Sequence, residues 1–135
     1  AHVLRIDTRG RGLVEITRQV DAWTTAQGMR QGLLTLFCRH TSASLLIQEN
    51  ADPAVRADIE AYFDRIAPEA PGRYSHADEG PDDMPAHLRA ALTAAQLSIP
   101  LIGGALVLGT WQGVYLFEHR RRPHQRDVAL HLLGA

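Results

Sequence analysis

The chain has 135 residues, 45% of them from the apolar and aromatic set and 21% charged, with a formal net charge of −1. That length suits one domain able to bury a core without disulfides, and that balance excludes a disordered chain or one made of membrane spans. The near-neutral charge removes the global field with which many proteins hold nucleic acid or an anionic membrane surface, so neither is expected as a partner.

In chain order, residues 2–7 and 12–17 read as two short strands around Thr8-Arg9-Gly10-Arg11-Gly12, whose glycines suit a hairpin turn. A short helix is expected over 19–29, with Val20, Trp23 and Ala26 at helical spacing and Trp23 in the core. Strands follow at 32–39 and 43–48, the second as a near-continuous apolar run. Asp52-Pro53 starts a helix, because the aspartate accepts from free amides and proline at the first helical position gives up no hydrogen bond. Val55, Ile59, Tyr62, Phe63 and Ile66 then trace its apolar face.

Residues 68–83 hold three prolines, two glycines and five acidic residues with no period, and so form a long irregular connection of the kind that often carries function. A helix opens at Asp83 or Met84, with Pro85 in its first turn, and runs through Leu88, Ala91 and Leu92. The last third reads as strands at 98–102, 105–108, 113–119 and 127–133. In the third of these, Val114, Leu116 and Glu118 share one face, and Tyr115, Phe117 and His119 the other. Between the strands, Gly109-Thr110-Trp111-Gln112-Gly113 reads as a structural turn with a packed tryptophan. The whole is an α+β fold with segregated strands and helices.

The single cysteine, Cys38, is expected to pack as a small apolar side chain in its strand. A metal site would therefore draw on histidine and carboxylate ligands and be partly open rather than a thiolate cage. Three histidines sit where such ligands are wanted. His40 closes a strand in His40-Thr41-Ser42, His76 lies in the long connection, and His87 lies near a helix N-terminus. If they converge, three imidazoles hold a divalent metal, zinc being expected, and leave a position for water or substrate.

Glu49, Glu79, Asp82, Asp83 and Glu118 are candidates for a fourth ligand, an orienting partner or a general base. Of these, Glu49 and Glu118 stand out, because they follow or occupy apolar strands where an unpaired carboxylate is costly. Asp83 reads equally as a helix N-cap. Arg120-Arg121-Arg122 with Arg126 is either a solvated turn or an anion-binding patch. No run is apolar enough to span a bilayer and no signal-peptide core is present, so a cytoplasmic protein is expected.

His40-Thr41-Ser42-Ala43-Ser44 with Glu49-Asn50-Ala51-Asp52, then Tyr74-Ser75-His76, Met84-Pro85-Ala86-His87-Leu88 and Leu108-Gly109-Thr110-Trp111-Gln112-Gly113 with Glu118 resemble the YjbQ-like family, also called secondary thiamine-phosphate synthases. The resemblance covers essentially the whole chain. It implies a single α+β domain with a β-sandwich-like core of mostly antiparallel strands, assembled as a homotrimer, with the matching histidines clustered at a metal or active site. It further implies a transferase activity that joins an aminopyrimidine diphosphate to a thiazole phosphate. The sequence departs from the family at Asp82-Asp83, where Asp-Asn often stands, so an amide donor is replaced by an anion. Two readings follow: a metal-dependent enzyme in which Glu49, Glu118 and Arg126 assist, and a non-catalytic trimeric module that binds a small phosphorylated metabolite.

Overall fold

A computed structural model describes residues 1–135 as eight strands and three helices in a single α+β domain. The strands are β1 (His2–Asp7), β2 (Gly12–Glu15), β3 (Gln31–Cys38), β4 (Ala43–Glu49), β5 (Gln96–Ile102), β6 (Ala105–Leu106), β7 (Gln112–Glu118) and β8 (Gln125–Gly134). The helices are α1 (Thr17–Ala26), α2 (Pro53–Ile66) and α3 (Asp83–Leu92). One sheet runs β1-β8-β3-β5-β6 and the other β2-β7-β4, and every pairing between named strands is antiparallel.

Alternation along the strands builds the layers. Leu34, Leu36 and Cys38 of β3, with Val128, Leu130 and Leu132 of β8, face Leu45 of β4 and Val114 and Leu116 of β7 across one buried core. Val20 of α1 closes onto the same core. The opposite face of the smaller sheet carries Leu13, Tyr115 and Phe117, which α2 covers with Ile59 and Phe63. The layers are therefore sheet, core, sheet, then helix.

The expected opening hairpin is not formed. β1 pairs with β8 and β2 with β7, in different sheets, so residues 8–11 cross the edge of the sandwich. Gly10 and Gly12 have φ of 138° and 141°, a region a side chain disfavours. A Cβ on Gly12 would also lie 2.8 Å from Glu60 Oε2. The glycines serve a crossing, and each strand finds its partner a hundred or more residues away.

α1 starts two residues before the expected position and ends three before it, at Ala26. Trp23 is partly buried against the core and stacks on His2 with ring centroids 5.7 Å apart. Trp111, expected to be packed, is 63% exposed, and its turn is closed instead by Gly109 N–H donating to Gln112 Oε1 at 2.7 Å. α2 begins as its sequence requires, with Asp52 Oδ1 accepting from Ala54 N–H at 2.9 Å and Pro53 in the first turn. Asp52→Ala should lower stability by about 1 kcal/mol, and Asp52→Asn by much less. A urea titration giving equal losses for both would remove the capping explanation. No helix is long and apolar enough to cross a membrane.

Candidate functional site

α3 brings the first group together. Asp83 sits at its first turn and His87 one turn on, on the same face of the helix. The connection before α3 returns His76 to the same place, held partly by Tyr74 Oη donating to Pro68 O at 2.8 Å. His76 Nε2 lies 2.7 Å and His87 Nε2 3.1 Å from Asp83 Oδ2. The two rings are 5.6 Å apart at an angle of 55°. One donor atom from each of His76, Asp83 and His87 falls within 4.8 Å of the others.

Two contacts fix this group from behind. His87 Nδ1 is 2.9 Å from Thr41 O, and since a carbonyl only accepts, Nδ1 carries the hydrogen. Arg120 holds the acidic side. Its Nη1 donates to Asp83 Oδ1 at 2.8 Å, its Nε to Asp82 Oδ2 at 3.0 Å and its Nη2 to Glu79 O at 3.0 Å. Arg121 N–H adds a bond to Asp82 Oδ2 at 3.0 Å. Burial alone would raise the Asp82 carboxyl, but the Arg121 amide and the Arg120 guanidinium together outweigh it and hold it low. The same pairing with Asp82 raises Arg120 further above its already high value. Neither aspartate caps the helix with its side chain, so the N-cap reading of Asp83 gives way to an ion-pair role.

His40, expected as a third ligand, does not join the group. Its Nε2 accepts Asp127 N–H at 2.7 Å, and its Nδ1 faces Arg126 Nη1 at 3.5 Å. Burial first, and then the neighbouring Arg126 charge, pushes its pKa down. His40 is thus a neutral acceptor that ties the end of β3 to β8.

Below the His40-Thr41-Ser42 turn lies a buried pair, Glu118 and Arg126. Glu118 Oε1 accepts from Thr8 Oγ1 at 2.7 Å and Arg126 Nε at 2.8 Å. Its Oε2 accepts from Arg126 Nη2 and from the amides of His119 and Arg120, each at 3.1 Å. Arg126 Nη2 also donates to Ser42 Oγ at 2.9 Å. Burial alone would push the Glu118 carboxyl up, but these hydrogen bonds, led by Arg126 and Thr8, outweigh it and hold the pKa below the usual range.

The YjbQ-like UPF0047 family model matches residues 2–135. The chain belongs to that family. It is 52% identical over 132 residues to a UPF0047 protein of Synechocystis, covering 98% of this chain and 90% of that one. It is 39% identical to the UPF0047 protein YjbQ of Salmonella typhimurium, covering 97% and 95%. Among solved structures, a YjbQ/UPF0047 protein of Clostridium acetobutylicum superposes with a TM-score of 0.90 at 32% identity, covering 98% of this chain and all of that one. A Thermus thermophilus protein reaches 0.87 at 36%, again covering 98% and 100%.

Within this YjbQ-like fold, the sequence-derived candidates separate into two places and a remainder. His76 and His87 meet at Asp83, while Glu118 and Arg126 lie in the buried pair beneath Thr41. Glu49 is at the other end of β4 from Ser42, roughly 20 Å along the strand. There its Oε2 accepts Asp52 N–H at 3.0 Å and shapes the entry to α2. Arg122 is exposed, and its carbonyl accepts from His124 Nδ1 at 2.7 Å. Arg120, the residue that organises the acidic side, gave no separate signal within a run of three arginines.

Proposed function

We propose that His76, Asp83 and His87 hold a divalent metal, zinc by the preference of a set of two imidazoles and one carboxylate, in an enzyme acting on a small phosphorylated metabolite. The observation that carries this reading is the tautomer of His87. With its hydrogen on Nδ1 against Thr41 O, the neutral ring turns a lone pair at Nε2 toward Asp83 Oδ2, 3.1 Å away. Two acceptors at that distance call for a cation between them or a second proton on the ring. His76 Nε2 converges on the same oxygen, and Arg120 already takes the other oxygen of Asp83, which supports a shared cation.

The Thr41 carbonyl is the kind of outer partner that fixes the ring orientation of a ligating histidine. Arg120 does the same for the carboxylate. Three protein ligands leave a coordination position open, and a bound divalent ion supplies Lewis acidity toward phosphate oxygens there. Coupling an aminopyrimidine diphosphate to a thiazole phosphate, the activity the family resemblance implies, belongs to this class, because the departing diphosphate needs its charge stabilised. A homotrimeric assembly is part of the reading. It is supported by the apolar outer face of the larger sheet, where Val3, Leu33, Phe37 and Leu133 are exposed.

The second reading, a trimeric module that binds such a metabolite without turnover, has one observation in its favour. Glu118 and Arg126, the candidate proton carrier and phosphate ligand, are committed to each other and buried. Elemental mass spectrometry on gently purified protein tests the metal site. The expected result is about one equivalent per chain, lost in both His76→Ala and His87→Ala and kept in His40→Ala. Unchanged stoichiometry in the first two variants removes the site. Saturable metabolite binding without product at full metal loading selects the module.

A further inference from the structure

We infer that the crossing between β1 and β2 forms a second, separate site, one that takes a small phosphate-type oxyanion. The glycine-rich run is no hairpin, and its path leaves two adjoining clefts of about 390 and 310 Å³ that share Arg11, Gly12 and Glu60. Five arginines line them against three carboxylates, and with Glu69, which pairs with two of the five, the formal excess is one positive charge. Small backbone residues keep the floor low. A side chain on Gly10 would come within 2.9 Å of Arg121 O, and one on Gly12 would reach Glu60.

Of the carboxylates, Glu60, Asp64 and the adjoining Glu69 are engaged within the network, while Asp7 at the rim of the larger cleft accepts only from Gln125 Nε2 at 3.3 Å. Glu60 Oε2 accepts Leu13 N–H at 2.9 Å, and Asp64 Oδ1 is shared between Arg89 at 3.1 Å and Arg11 at 3.4 Å. Arg121 and Arg11 both turn to one oxygen of Glu69, at 2.8 and 3.0 Å. Arg89 is 1% exposed, and its Nε, like that of Arg11, is buried without a partner. Two guanidinium N–H groups of this network are therefore buried and unpaired.

Two further arginines have no carboxylate at all. Arg9 lines the larger cleft unpaired, and Arg56 has only the Tyr115 ring, 5.2 Å away, and the Tyr115 hydroxyl at 3.5 Å. Guanidinium groups are planar, charged forks matched to phosphate oxygens. The order of strengths follows: Arg9 and Arg56 contact the anion, while Arg11, Arg89 and Arg121 keep their carboxylates and supply the surrounding field. Clefts of this size, in a chain of near-neutral charge, suit a small molecule and not a nucleic-acid track.

Titration calorimetry with inorganic phosphate at constant ionic strength tests this site without reference to the metal. Saturable binding is expected, and in the His76→Ala with His87→Ala protein, where no metal position competes for phosphate, it is weakened about tenfold or more by Arg9→Gln or Arg56→Gln and abolished by the pair, with circular dichroism unchanged. Neither side chain carries a structural ion pair, so both variants should fold. His76→Ala with His87→Ala should leave phosphate binding intact even where it removes the metal. Absence of saturable binding, equal affinity in the double arginine variant, or loss of binding in the double histidine variant would overturn the assignment.

Discussion

Glu118→Ala should lower the unfolding free energy by about 3–5 kcal/mol, the range found when one partner is removed from a buried ion pair. The size comes from what stays behind. Arg126 is 4% exposed and donates two hydrogen bonds to Glu118, so truncation strands a guanidinium that water cannot reach. Thr8 and the amides of His119 and Arg120 lose their acceptor in the same step. Replacing both partners with apolar residues, Glu118→Leu with Arg126→Met, should return much of that loss, because no unpaired charge remains. Urea unfolding of the parent, Glu118→Leu, Arg126→Met and the double variant completes the cycle, with Glu118→Ala measured beside them. A loss below about 1 kcal/mol for Glu118→Ala would mean that the pair is solvated and open to substrate, and would restore both residues as candidates for direct catalysis.

That result bears on the histidine group through a short chain of contacts. Arg126 holds Ser42 by its hydroxyl and carbonyl, and the preceding residue, Thr41, offers the carbonyl that fixes His87. Glu118 and Arg126 therefore act as positioning residues whose removal would loosen the ring orientation on which the proposed metal site depends.

The parts of this molecule legible in its sequence are those decided locally. α2 follows from Asp52-Pro53 and a helical apolar period within a single stretch, and β7 from alternation over seven residues. The His87 and Asp83 pairing is local as well, four residues apart on α3, but it competes with an equally good N-cap reading of Asp83 and so is not decided by spacing alone. The opening hairpin failed because strand pairing is a choice among distant partners. A glycine-rich link looks the same whether it turns a strand back or carries it to another sheet. His40 lies apart from His76 and His87 for a related reason. Its residue type suits a ligand, but Asp127, whose amide occupies Nε2, and Arg126, whose charge lies beside Nδ1, are more than eighty positions away. The role of Arg120 was hidden by its neighbours, since a run of three arginines says nothing about which one turns inward to Asp82 and Asp83.

His119 carries the strongest pH dependence expected of the fold. It is 1% exposed, and burial first, with the Arg89 charge next, drives its pKa from 6.5 down to about 3. The ring is therefore neutral in the folded protein at all ordinary pH values, while in the unfolded chain it takes up a proton below 6.5. Protons favour the unfolded state throughout that interval, so stability falls as pH drops from 6.5 towards 3, by roughly 1.4 kcal/mol per pH unit at the steepest. Between pH 7 and 5 the loss attributable to this one group is about 2 kcal/mol. His40, whose pKa is also depressed, adds to the same trend, so the discriminating measurement is a difference between two proteins. His119→Gln keeps a hydrogen-bonding group toward Ser44 Oγ, which lies 2.8 Å from Nε2, and removes the titration. Its unfolding free energy should fall distinctly less than that of the parent as pH drops across this window. Parallel slopes for the two proteins would show that the buried imidazole gains a proton without unfolding, through an opening around Ser44 and Thr93.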